Sequence, residues 1–276
     1  MGNAFTLFLF DFLNLILIYK LARFKNTASL FYILAPSLFR GLLFVEDEIL
    51  ATFVLASIHF LGKKRYSLST LMLALSFNHK FFPILLFPVL LLQMDIFKRT
   101  NIIPKIKNYR RLLEQISVFS LTTIFWHIFY FSDWYMFYDF RMFHYTITPG
   151  AGFGIWALFS RDYYSIFIGL AFILFYLFSY IKNLDIKTTY LLGSLIFIST
   201  YPRFSVDHLI FLIPLFLIWT RLNLMDTLLW IFLSITVILD FLALPTIGIF
   251  NQNYATYLLI LVLLGFYLII LNRLRK

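Results

Sequence analysis

Charged residues are so sparse along this chain that long apolar runs dictate its fold. The runs occupy 4–20, 28–45, 48–62, 66–78, 81–97, 114–131, 163–181, 187–201, 208–221, 224–243 and 255–272. They are continuous rather than amphipathic, and a membrane crossing needs about 20 such residues. Of 276 residues, 62 % are apolar, 21 % aromatic and 13 % charged. A soluble domain is nearer half apolar and a quarter charged. A water-soluble fold of this size would be left with apolar patches that aggregate it. The composition therefore excludes a soluble enzyme and a disordered chain. The absence of cysteine excludes a disulfide scaffold, a thiolate metal site and a thiol nucleophile. The expected fold class is all-α: a polytopic integral membrane protein of about ten to eleven transmembrane helices. Some of those helices are short and broken, and residues 1–276 form a single transmembrane domain. The first run reads as a retained span, because no basic n-region or small-residue cleavage site accompanies it.

The net charge of +10 reads as orientation and not as nucleic-acid binding, because Lys and Arg collect on the cytoplasmic side of membrane proteins. Orientation turns on residues 66–97. As one helix they would span about 48 Å, against a hydrocarbon core of about 30 Å. Asn78-His79-Lys80-Phe81-Phe82-Pro83 lies in their middle. Pro83 removes a backbone donor and disfavours a helical Phe82, so the stretch is read as two short helices meeting at a polar break. Eleven crossings follow, in the cell membrane, with the N-terminus outside and the C-terminus cytoplasmic. Eighteen of the 23 Lys and Arg then fall inside; Arg40, Lys80, Arg141, Arg161 and Arg203 fall outside. Asp95, Glu114, Asp185 and Asp226 are the inner acids, and the other nine lie in outer positions. The aromatic-rich stretch 132–162 is expected to be an extracytoplasmic interfacial segment. Its Gly150, Gly152 and Gly154 permit a tight loop.

Four constellations carry possible chemistry, all on the outer side. Glu46-Asp47-Glu48 offers three adjacent carboxylates that could act as a base or hold a divalent cation; capping of the following helix is the simpler role. His79-Lys80 occupies the break, where intramembrane ionisable groups mark function and where Lys80 could either hold a phosphate or snorkel. Arg141 with His144, and Arg203 with Asp207 and His208, complete the set. Arg203 and Asp207 could simply pair with each other. Jointly they place a base and several cations on one face. His59 is read as structural and His127 as locally partnered. Asp11, inside the first run, serves either a buried polar bond or the site.

The order of these motifs resembles a known family. Tyr19-Lys20-Leu21-Ala22-Arg23 ends the first run, and Leu34-Ala35-Pro36-Ser37 precedes the acidic turn Val45-Glu46-Asp47-Glu48. Leu73 to Pro83, with Phe87-Pro88, follows. Later come Phe143-His144-Tyr145 before Trp156, and Tyr201-Pro202-Arg203 before Pro214. The chain resembles GT-C glycosyltransferases, nearest the lipid-linked mannosyltransferases. The resemblance implies inverting transfer of a hexose such as mannose from a polyprenyl-phosphate donor to a lipid-linked or glycan acceptor on the extracytoplasmic face. It implies a base role in the acidic turn (Asp47 with Glu46 and Glu48). It implies donor-phosphate binding by Lys80 and Arg203, with His79, Arg141, His144, Asp207 and His208 around the substrate. The resemblance leaves a cofactor open: Mg or Mn would bind at Asp47 and Glu48 if a metal is used. The family's usual N-terminal span and first acidic loop have no counterpart here: either that part is missing, or a second chain supplies it, or Asp47 acts in its place. The partners expected are the polyprenyl-phosphate-sugar donor, membrane lipids and that second chain. A multi-pass transporter or lipid flippase, with its site near the midplane, and a noncatalytic subunit of a membrane glycosylation complex are the rival readings.

Overall fold

The computed structural model describes residues 2–35, 47–79, 82–94, 96, 106–129, 164–200, 211–242 and 252–275. Every regular element among them is helical. In chain order they are α1 (Gly2–Leu21), α2 (Lys25–Ile33), α3 (Asp47–Gly62), α4 (Tyr66–His79), a 3-10 turn (Phe82–Leu86) and α5 (Phe87–Gln93). Then follow α6 (Ile106–Phe129), α7 (Tyr164–Lys182), α8 (Ile186–Thr200), α9 (Leu212–Trp219), α10 (Leu224–Leu242) and α11 (Gln252–Arg275). Among the described residues, no helix is long and apolar enough to cross a membrane. The expected helix over 28–45 is described only as the short α2, and the interfacial segment 132–162 lies outside the described residues.

The break inside 66–97 is present. α4 stops at His79, and the chain resumes at Phe82 as the 3-10 turn. Pro83 lies early in that turn and Pro88 in the first turn of α5, positions where a missing N–H costs least. Ser67 donates to Glu114 (2.6 Å) and Thr70 to Gln115 (2.6 Å), so α4 and α6 start at the same end. Asn108 donates to the Ile96 carbonyl (3.0 Å), which returns the chain to that end between them. The stretch therefore runs out and back.

Other bonds bring the remaining turns to that end. Gln93 donates to the Leu184 carbonyl (2.7 Å), and Trp219 Nε1 donates to Thr188 (2.9 Å). The Lys187 ammonium donates to the Leu21 carbonyl, and Arg273 pairs with Asp226. We call this the basic end. Its turns are built by local chemistry. α3 ends with Arg65 N–H bonded to the Phe60 carbonyl (2.9 Å) and Lys64 left-handed at φ 58°. α7 ends likewise, with Leu184 N–H on the Ser179 carbonyl and Asn183 at φ 50°. This is the Schellman closure of a helix, with Lys and Asn where glycine is commonest. Asp185 caps α8 through the N–H groups of Lys187 (3.0 Å) and Thr188 (3.2 Å). Asn223 caps α10 through the N–H of Asp226 (2.9 Å).

The core joins α3, α4, α8 and α9. α9 is buried from Leu212 to Ile218, which explains its apolar sequence without amphipathic period. Phe82 stacks on Phe197 (4.8 Å) and lies 5.0 Å from Phe211, so the 3-10 turn is wedged between α8 and the entry to α9. Ser57, Ser69 and Tyr190 share hydroxyl contacts of 3.1 and 3.3 Å among α3, α4 and α8. Gly193 permits the closest approach: a Cβ there would lie 2.8 Å from Leu86 and 3.0 Å from the Phe175 ring. Leu86 is fully buried, so any shift of its side chain must be made against packed neighbours. Gly193→Ala is expected to destabilise by about 1–3 kcal/mol through overpacking. Gly169→Ala, where a Cβ meets nothing within 4 Å, should be neutral or slightly stabilising. Thermal unfolding in detergent compares the two, and equal midpoints would remove the packing argument.

The outward faces are apolar. On α7, Ile166, Leu170, Ile173, Leu174, Leu177 and Ile181 are exposed, Leu174 at 64 %. α11 exposes Leu261, Leu264, Leu268 and Leu271, with Leu268 at 67 %. α6 and α10 do the same.

Candidate functional site

α1 carries its polarity inside out. Asp11, Asn14 and Ile18 form its buried stripe, while Phe8, Leu9, Phe12 and Leu13 face outward. Positions three and four apart share a helix face, so Asp11 and Asn14 enter the bundle together. On α3 the same spacing points Glu48 and Thr52 back at them; Glu48 is 1 % exposed. Thr52 Oγ1 lies 2.9 Å from Asn14 Oδ1, 2.8 Å from the Glu48 carbonyl and 3.2 Å from the Phe10 carbonyl. Asn14 Nδ2 donates to the Glu48 carbonyl at 3.1 Å. From α2, the Tyr32 hydroxyl donates to Asp11 Oδ1 at 2.8 Å. Three helices are thus tied by one buried polar cluster containing two carboxylates. The second oxygen of Asp11 is buried and has no hydrogen-bond partner among the described residues. Leaving such an atom unmet is costly in an apolar bundle.

α4 adds to this end. Ser76 donates to the Leu50 carbonyl at 3.3 Å. α3 and α4 run antiparallel, so two residues onward from that bond Glu48 and Asn78 stand level on neighbouring helices. The side-chain amide of Asn78 is buried, and neither its N nor its O has a partner among the described residues. His79, half-buried, is the last residue of α4. The cluster lies at the end of the bundle away from the basic turns.

Of the residues expected from sequence, the structure brings Glu48 into the bundle and sets His79 at the end of α4. Asp47 opens α3, but its side chain lies outside the described residues, as do Glu46, Lys80, Arg141, His144, Arg203, Asp207 and His208. Asp11 makes the buried polar bond that was one of its two expected roles. Asn14, Tyr32, Thr52 and Asn78 were missed. The signal for the first and third was present: Asp11/Asn14 and Glu48/Thr52 are polar pairs at helical spacing inside apolar runs. His59, expected to be structural, packs edge-on against Phe60 at 5.7 Å in the last turn of α3.

Chemically, the cluster can accept one more donor at Asp11. Two carboxylates with hydroxyl and amide oxygens suit a proton or a hard cation. Among the described residues, no group of three or more His, Asp and Glu could hold a metal ion. Of the expected metal residues, Asp47 and Glu48, only the Glu48 side chain is described. Comparison with protein-family models, curated proteins and solved structures finds no match.

Proposed function

We propose that the chain is a polytopic membrane protein that transfers a hexose from a polyprenyl-phosphate donor at the end of the bundle opposite the basic turns. One observation carries the membrane part: α1 buries Asp11 and Asn14 while it exposes Phe8 and Phe12. Water would drive the opposite arrangement, whereas lipid favours it. The exposed Leu and Ile faces of α6, α7, α10 and α11 support the same reading, because contiguous apolar surface of that extent is rare on soluble monomers. Basic turns gathered at one end accord with a cytoplasmic face there.

The transferase part rests on the resemblance to GT-C enzymes together with the burial of Asp11 and Glu48 toward the end of the bundle where α4 stops at His79. In this reading Asp47 takes the acceptor proton, and Lys80, one residue beyond His79, meets the donor phosphate as charge develops on it. Arg203, Arg141 and His144 complete the anion site, with Asp207 and His208 beside Arg203. Glu46 and Glu48 flank the base in sequence, and Glu48 is turned into the bundle. Membranes containing the chain are expected to move radiolabel from a polyprenyl-phosphate hexose to lipid; absence of transfer with every hexose donor would overturn the reading. A second reading, an ion-coupled transporter, is favoured by the deep burial of Asp11 and Glu48 between α1, α2 and α3.

Topology is testable directly, because the chain has no cysteine and a single introduced one is labelled without background. Lys105→Cys should react with an impermeant maleimide only from the cytoplasmic side, and Gly150→Cys only from outside. Reaction of both from one side would refute the out-and-back path of 66–97 in the membrane.

A further inference from the structure

α4 and α6 run side by side from the basic end, and two grooves lie one above the other along their seam. The lower groove, about 400 Å³, is lined by Lys64, Arg65, Tyr66, Ser67, Arg111 and Glu114, among others. Lys64 and Arg65 are exposed, and Arg111 is half-buried. Three cations face one acid, and that acid already accepts the Ser67 hydroxyl at 2.6 Å. Among the described residues none of the three cations is ion-paired. The Arg111 guanidinium lies 5.2 Å from the Tyr66 ring centre, a contact that positions it at little cost. The upper groove, about 640 Å³, is almost wholly apolar; Leu71, Leu75, Leu121, Ile124, Phe125 and Ile128 line it. Leu68, Leu71 and Leu75 lie three and four residues apart and so form one helix face. That face leads from the polar groove into the apolar one, which begins about 9 Å above Arg65.

We infer that this seam is a binding site for an anionic phospholipid. Its phosphate is clamped by Lys64, Arg65 and Arg111 at the basic end, and one acyl chain lies in the apolar groove. A neutral headgroup would leave the surplus positive charge unmet, and a free phosphate would leave the apolar groove uncovered. Arg supplies a planar fork and Lys a mobile point charge for phosphate oxygens. Basic pockets between helices at the cytoplasmic face take anionic headgroups in this way. The site is separate from the Asp11 cluster and independent of glycosyl transfer, but it rests on the membrane reading.

The test uses the full chain in a neutral detergent, with lipid adducts counted by native mass spectrometry. Phosphatidylglycerol should be retained one per chain, at least tenfold more than phosphatidylcholine. Arg111→Gln with Lys64→Gln should abolish that preference. Ile124→Trp, which obstructs the apolar groove and leaves the cations in place, should lower phosphatidylglycerol retention while glycerol phosphate binding stays unchanged. Equal retention of both lipids overturns the proposal, as does glycerol phosphate binding as tightly as the lipid. Extraction of cell membranes with alkaline carbonate separates the two readings. Release of the chain overturns the membrane reading and this site with it; a chain that stays in the membrane but shows no lipid preference overturns this site alone.

Discussion

Replacing Arg273 with Met should destabilise the bundle by about 3–5 kcal/mol, the cost of breaking a buried ion pair from one side. Asp226 is fully buried in the first turn of α10, and Arg273 reaches it from the last turn of α11. The same carboxylate accepts the Thr220 hydroxyl (2.7 Å) and the Arg221 N–H (2.8 Å). The guanidinium also lies 3.9 Å from the Trp219 ring centre. One residue therefore ties the end of α9, the start of α10 and the end of α11. Arg273→Met keeps much of the aliphatic bulk but strands a charge with no access to water. Adding Asp226→Asn removes that charge and keeps an oxygen for the Thr220 and Arg221 donors. The double variant should recover most of the loss, since replacing both partners of a buried pair is often close to neutral. Detergent thermal unfolding of the wild type and the two variants decides the matter. A stable single variant would show that the pair contributes nothing.

Asp47→Asn should lower sugar transfer by about 10²–10⁴-fold, the usual contribution of a positioned general base. Asp47 is the first residue of α3, and asparagine keeps the size of the side chain and one acceptor oxygen there. The substitution should spare unfolding behaviour. Glu48→Gln is the informative contrast. Glu48 is 1 % exposed against α1, and a change there should disturb packing and activity together. A folded Asp47→Asn with full transfer would move the base elsewhere, first to Asp11, whose second oxygen has no hydrogen-bond partner among the described residues.

Much of the helical framework was legible. The polar break after His79 followed from Pro83 and from a run too long for a single crossing. The return of 82–94 to the basic end followed from placing Lys98 to Arg111 with the other basic turns. Helix lengths were less legible. The run over 208–221 yields an α-helix only at Leu212–Trp219, and α6 begins at Ile106 rather than near 114. Run length measures hydropathy, whereas a helix ends where its terminal carbonyls and N–H groups find caps. Leu222 at φ 53° and the Asn223 cap define the turn into α10, and neither is marked by a change in hydropathy.

The site was legible in outline only. Adjacent acids at 46–48 drew attention to the acidic turn as a unit, and adjacency in sequence does not say which carboxylate enters the bundle, because successive helix positions lie about 100° apart. The structure sends Glu48 inward toward Asn14 and Tyr32. Tyr32 could not be foreseen as the partner of Asp11, because the 21 residues between them carry no local pattern that specifies the pairing.

By itself the sequence determined that the regular elements among the described residues are helical, that these helices turn at basic clusters, and that the 66–97 stretch doubles back. These follow from hydropathy, charge and one proline, all properties of local segments. Only the tertiary structure decided which face of each helix turns inward. That choice depends on long-range hydrogen bonds such as Tyr32 to Asp11 and on close approaches such as Gly193 to Leu86. Outward apolar residues and core apolar residues look alike in a sequence. The bundle separates them by where a buried polar atom can find its partner.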